Sequence, residues 1–189
     1  MQQLLDSIKS SDLVIFDLDG TIVYMDVDWS KVKKELSDHF YNSYGIKESF
    51  NPMLTAIEKM IDKFGIDTRF EIYKILKKHE LNAIENSTFN EYIVTLIRNM
   101  PLEKKLAIFS TNLHETIESI LKKVGLLVRF EYIVGLEDVR YTKPNPEGIN
   151  NILDHFKVNN SKALFIADKI IDFEVGKSCN IKTYDVKNL

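Results

Sequence analysis

Leu13-Val14-Ile15-Phe16-Asp17-Leu18-Asp19-Gly20-Thr21 is the stretch that decides how the rest of the chain reads. Four apolar residues in a row form a strand that delivers two carboxylates, separated by one residue, to a glycine turn that also carries a hydroxyl. Two like charges that close repel each other and bind water strongly, so packing gains nothing from them there. They make sense around a cation. Asp-x-Asp-Gly-Thr arises by chance in about 0.2–0.5% of chains of this length at ordinary residue frequencies. An Asp-rich turn that merely ends a strand is therefore the weaker reading.

Three further stretches follow in order. Leu106-Ala107-Ile108-Phe109-Ser110 is a second apolar run ending in a hydroxyl, with Thr111-Asn112 behind it. Lys143-Pro144-Asn145-Pro146-Glu147-Gly148 sets a lysine before a helix start, and Phe165-Ile166-Ala167-Asp168-Lys169-Ile170-Ile171-Asp172 ends a third run in an acidic pair. Together the four resemble the motifs of the haloacid dehalogenase-like superfamily, most of whose members are magnesium-dependent phosphatases, and within it the phosphoglycolate phosphatase-like group with a helical cap. The resemblance spans residues 17–172, nearly the whole chain. Two positions depart from the pattern: Ala167 replaces the usual glycine, and Lys169 stands where a small residue is common.

Composition sets the outer bounds. A chain of 189 residues has room for one α/β core and a small accessory domain. Its apolar fraction of 44% and charged fraction of 28% are those of an ordinary globule. A net charge of −3, with lysines scattered among acids, gives no footprint for nucleic acid. No apolar run approaches the length of a membrane span. The single cysteine, Cys179, excludes an internal disulfide and a cysteine-based zinc site. Met1–Ser10 is too poor in apolar residues for a signal peptide, so the expected location is the cytoplasm.

Short apolar runs alternating with helical patterns predict a Rossmann-like α/β core with five parallel strands, at 12–17, 105–110, 130–135, 162–167 and 181–185. Helices follow Asn112 (stripe Ile117, Ile120, Leu121, Val124) and Asn145 (Ile149, Ile152, Leu153, Phe156). Each motif then falls at the C-terminal end of a strand, where open α/β sheets bind ligands. Residues 26–87 break the alternation. Three helical patterns occur there with no strand between them: one capped by Asp28, one opened by Pro52 and stopped by Gly65, and one capped by Asp67 with Phe70, Tyr73 and Leu76 on its face. A further helix is expected from a Thr88–Glu91 capping box. The predicted division is a core of residues 1–25 and 88–189 and a helical cap of residues 26–87.

The chemistry follows from charge. Asp17, Asp19, Asp168 and Asp172 around a phosphate ester would set several negative charges in one pocket, each like-charge contact at about 4 Å costing roughly 4 kcal/mol at an effective dielectric near 20. Lys143 alone cannot offset this. An oxygen-seeking divalent cation can, and all-oxygen ligands point to Mg²⁺ over Zn²⁺. The resemblance implies that an oxygen of Asp17, the backbone carbonyl of Asp19 and a carboxylate oxygen of Asp168 hold the ion, with Asp172 orienting a metal-bound water or Lys143. It also implies that Asp17 is the nucleophile, that Asp19 protonates the leaving group, and that Ser110, Thr111, Asn112, Lys143 and Thr21 surround the phosphate. Thr21 has a plainer role open to it, as a hydroxyl fixing the turn. Lys169 is read as facing the pocket.

Asp19 separates this chain from the haloacid dehalogenases, which lack the second aspartate and need no metal. The cation-transporting ATPases carry Lys-Thr-Gly-Thr after the nucleophile, which is absent here. The expected function is hydrolysis of a small phosphorylated metabolite through an aspartyl-phosphate. The alternatives are a phosphomutase of the β-phosphoglucomutase type and a catalytically weakened binding module, the latter suggested by Ala167 and Lys169. Neither substrate nor oligomeric state carries a sequence signature.

Overall fold

The computed structural model describes residues 2–188. Helix α1 (Gln2–Ser10) precedes strand β1 (Leu13–Phe16), and a two-residue strand β2 (Val23–Tyr24) follows the acidic turn. Helices α2 (Trp29–Tyr44), α3 (Met53–Phe64) and α4 (Thr68–Ala83) come next, then β3 (Thr88–Phe89) and α5 (Glu91–Asn99). Strict alternation takes over from there: β4 (Lys105–Phe109), α6 (His114–Lys123), β5 (Tyr132–Val134), α7 (Glu147–Phe156), β6 (Ala163–Ala167), α8 (Ile170–Ser178) and β7 (Lys182–Asp185).

Five strands form one parallel sheet in the order β5-β4-β1-β6-β7. All four residues of β1 are buried, which is why its sequence is an apolar run rather than an alternation. One face of the sheet, through Leu13, Ile15, Ala107, Phe109 and Phe165, packs against Ile149, Ile152 and Phe156 of α7 and Val175 of α8. The chain moves outward from β1 to β4 and β5, then returns to β6 on the other side of β1. The order therefore reverses beside the central strand, and such reversals open a crevice at the strand carboxyl ends. Phe16 sits opposite Ile108 and Ile166, so Asp17, Ser110 and Asp168 all emerge at that same edge.

By internal contacts the chain divides into two compact units. One combines the residues up to Met25 with those from Ser87 onward, and the other is Asp26–Asn86. In the helical unit α4 packs on both α2 and α3, and Val32, Leu36, Phe40, Phe50, Ile57, Met60, Ile72 and Leu76 are buried. Phe40, Tyr44, Phe50 and Phe64 form an aromatic cluster, with the Tyr44 and Phe64 ring centroids 4.5 Å apart. Asp28 caps α2 by accepting the Lys31 N–H at 3.1 Å, and α3 begins after Pro52 and stops at Gly65.

Local expectations fail at three places. Asp67 precedes α4 but is itself helical and makes no side-chain capping bond. The buried face of α4 runs through Thr68, Ile72, Leu76, Glu80 and Ala83, leaving Phe70 73% exposed. Helix α5 is capped by Asn90, whose side chain accepts the Ile93 N–H at 3.3 Å, rather than by Thr88. Thr88 is diverted because Thr88–Phe89 pairs antiparallel with Val23–Tyr24, a ribbon too short to leave a periodicity.

Gly148 shows how tightly α7 lies on the sheet. A Cβ there would fall 2.2 Å from Cε2 of Phe109. Glycine-to-alanine inside a helix ordinarily stabilises by about 0.5–1 kcal/mol. Gly148→Ala is expected to do the opposite, costing about 1–3 kcal/mol through overpacking, as read from urea unfolding. A variant at least as stable as the parent would contradict this packing.

Candidate active site

The acidic turn is built by its own backbone. Gly20 donates to the Val23 carbonyl at 2.7 Å and Thr21 N–H to Leu18 at 3.2 Å, with Gly20 at φ +94°. A Cβ on Gly20 would lie 2.5 Å from the Asp168 carboxylate, so glycine is required twice, once for the turn and once for the approach of that acid. The Thr21 hydroxyl does not fix the turn: it is buried and has no hydrogen-bond partner. Asp17 extends the β1 ladder by one bond, its N–H donating to Ile166 at 3.0 Å, and is 3% exposed.

Lys143 reaches this acid from the loop before α7. That loop is held by Glu147, whose carboxylate accepts the N–H groups of Arg140 and Tyr141 at 2.9–3.1 Å. The buried Lys143 ammonium donates to Asp17 Oδ1 and to Asp172 Oδ1, both at 2.7 Å. It also lies 4.6 Å from the Phe109 ring centroid and 5.2 Å from that of Phe165, so aromatic faces line its apolar side. Asp172 is fully buried in the first turn of α8, and its other oxygen accepts the Lys169 N–H at 3.2 Å. One lysine thus ties the ends of β1 and α8 together. Breaking such a pair from one side leaves a buried charge alone.

The Asp19 carboxylate accepts the Met25 N–H through Oδ1 at 3.0 Å. Its backbone carbonyl accepts a 2.7 Å hydrogen bond from the Lys169 ammonium, which is also 3.5 Å from Asp19 Oδ2. Lys169 therefore turns inward. Burial works to lower its pKa, but Asp17, Asp19, Asp168 and Asp172 together outweigh burial and hold it above the ordinary lysine value. Asp168 is approached by Lys187, whose ammonium bonds its carbonyl and lies 3.3 Å from Oδ2.

On the neighbouring strand end, the Ser110 hydroxyl donates to Asn112 Oδ1 at 2.9 Å and accepts the Asn112 N–H at 3.2 Å. Thr111 is half-buried beside them. His114 is drawn to acids, with Asp138 at 3.2 Å and Glu118 at 3.7 Å. The structure thus brings Asp17, Lys143 and Asp172 into direct contact, sets Asp19 and Asp168 around them, and pairs Ser110 with Asn112. Lys187 was missed by sequence reasoning. It lies beyond the last strand in no motif, and only the β6–β7 pairing carries it back to Asp168.

Carboxylate oxygens of Asp17, Asp168 and Asp172 lie within 4.8 Å of one another, a cluster that could bind a metal ion. Both Asp172 oxygens are committed to Lys143 and the Lys169 amide, whereas Asp17 Oδ2 and Asp168 Oδ1 are buried with no hydrogen-bond partner. Two unpaired buried carboxylate oxygens within one cluster of acids fit a hard cation.

Residues 14–186 match the haloacid dehalogenase-like hydrolase family, and the chain belongs to it. Among curated relatives, it is 29% identical to the pyrophosphatase PpaX of Listeria monocytogenes over 180 residues, covering 92% of this chain and 82% of that protein. It is 27% identical to PpaX of Bacillus velezensis, covering 94% and 84%. Solved structures share the fold: a predicted phosphoglycolate phosphatase of Haemophilus somnus (TM-score 0.62, 16% identity, 93% and 85% covered) and CbbY of Rhodobacter sphaeroides in complex with phosphate (TM-score 0.63, 16% identity, 92% and 84% covered). No helix among the described residues is long and apolar enough to cross a membrane.

Burial, and then the Asp17 charge, raise the Asp168 pKa against the pull of Lys169 and Lys187. A carboxylate raised on folding favours the folded state at low pH, and that contribution is lost as pH climbs through the folded value. In EDTA, Asp168→Asn is therefore expected to melt above the parent at pH 8, with the advantage shrinking toward pH 4.5. A difference in melting temperature constant across that range would contradict the charge balance described.

Proposed function

We propose that this hydrolase is a Mg²⁺-dependent phosphatase acting on a small phosphorylated metabolite through an aspartyl-phosphate. The carrying observation is Asp17: a buried carboxylate at the mouth of the central strand, with one oxygen on Lys143 and the other buried and unpaired. Asp17, Asp168 and the Asp19 carbonyl would hold the ion, with Asp172 keeping Lys143 in place from outside the coordination sphere. When bound, Mg²⁺ neutralises charge on the carboxylates and on the phosphoryl oxygens.

Asp17 attacks phosphorus in line, forming an acyl-phosphate bond as the ester P–O bond breaks. Asp19 gives its proton to the departing oxygen, then takes one from the water that attacks the phosphoryl group. Inorganic phosphate leaves and the Asp17 carboxylate is regenerated. Lys143 balances charge on the phosphoryl oxygens, and Ser110, with Thr111 and Asn112 behind it, supplies donors to them. The buried, unpaired Thr21 hydroxyl is a further candidate donor. We assign the helical segment, residues 26–87, the role of cap. The relatives named as pyrophosphatases place inorganic pyrophosphate beside sugar and glycolate phosphates in the panel of substrates to test.

Asp17→Asn is expected to fold and to retain no more than about a hundredth of the parental kcat, because an amide oxygen neither attacks phosphorus usefully nor balances the cation. A tenth of parental kcat in the folded variant would remove Asp17 from this role. Exhaustive EDTA treatment should abolish activity, Mg²⁺ should restore it, and Ca²⁺, which prefers more ligands and looser geometry, should inhibit. Full activity after chelation would overturn the metal assignment.

A further inference from the structure

We propose that Lys169 is an internal counter-cation that holds the metal site closed until a divalent ion displaces its ammonium from the Asp19 carbonyl, so that this one residue sets the metal affinity of the protein. The inference rests on the metal reading above and adds to it a competitor supplied by the chain itself.

The 2.7 Å bond from Lys169 Nζ ends on the same main-chain oxygen that the proposed metal site requires. The ammonium and a metal bound there would compete for one acceptor, and two cations held by the same carbonyl repel. Lys169 leaves Asp17 Oδ2 and Asp168 Oδ1 without partners, so it guards the site without satisfying it. Four carboxylates, of Asp17, Asp19, Asp168 and Asp172, here face three ammonium groups, of Lys143, Lys169 and Lys187. Removing Lys169 would leave the metal-free site strongly anionic.

The anchoring of Lys169 suits an exchange. Its amide donates to Asp172 Oδ2 at 3.2 Å and its carbonyl accepts the Asp172 N–H at 3.0 Å, so its backbone is pinned at the start of α8. Only the four-carbon stem needs to swing. The side chain is 43% exposed, which gives the displaced ammonium a route to water. Lys143 has no such freedom: it is buried, doubly bonded to acids and flanked by two rings. Lys187 touches Asp168 but does not bond the Asp19 carbonyl, so it serves as the control for general electrostatics.

The test is Mn²⁺ binding, followed by the electron paramagnetic resonance signal of the free ion, since Mn²⁺ takes the same oxygen ligands as Mg²⁺. The metal-free full chain is compared with Lys169→Met, Lys169→Gln and Lys187→Met, the two Lys169 variants guarding against misfolding of either. Both Lys169 variants are expected to bind Mn²⁺ at least about ten-fold more tightly, and Lys187→Met less than about three-fold. The Lys169 variants should melt below the parent in EDTA, with saturating Mn²⁺ erasing the deficit; a purely structural lysine would leave it in place. Unchanged or weaker binding in the Lys169 variants, or equal tightening in Lys187→Met, would overturn the proposal while leaving the metal site standing. Absence of Mn²⁺ binding in every protein would take down both.

Discussion

The buried bridge from Asp17 through Lys143 to Asp172 is the interaction on which the core site depends. Three charged groups with almost no exposure are held by two 2.7 Å contacts, joining the end of the central strand to the first turn of α8. Such a cluster is costly to desolvate, and its value to folding alone is slight or negative. A protein core built only for stability would fill this volume with apolar side chains. The carboxyl end of the sheet instead holds two buried carboxylates on one lysine, with the rings of Phe109 and Phe165 behind that lysine.

The remaining geometry follows from that placement. Because β1 is central and the strand order reverses beside it, the ends of β1, β4 and β6 deliver Asp17, Ser110 and Asp168 to one edge without long loops. Asp168 can approach the acidic turn only because residue 20 has no side chain. Two carboxylate oxygens end there buried and unpaired, while the Asp19 carbonyl is taken by Lys169. The clustered acids, their unpaired oxygens and the inward position of Lys169 belong to one electrostatic balance.

Much of this was legible in the sequence because parallel strands buried on both faces leave short apolar runs, and Leu13–Phe16 and Ala163–Ala167 are such runs. The acids that end them are conspicuous because they follow apolar residues directly. What escaped reading lacked a period or a local cause. The Val23–Tyr24 and Thr88–Phe89 ribbon is two residues wide, and its pairing reassigned the cap of α5 from Thr88 to Asn90. The buried face of α4 is not the one that Phe70 suggests, because Thr68 and Glu80 occupy buried positions while Phe70 faces solvent. Lys187 reaches Asp168 only through tertiary pairing, and the inward turn of Lys169 depends on a side-chain direction that spacing does not encode.

The central claim, that Asp17 takes the phosphoryl group, is tested most directly by trapping it. The Mg²⁺-loaded protein would be mixed with a turned-over phosphate ester labelled at phosphorus, quenched in acid within one turnover, and mapped by mass spectrometry. The account predicts label on the peptide containing Asp17, discharged on a longer chase to inorganic phosphate. Label on another residue, or single-turnover product formation with no covalent label at any time point, would contradict it.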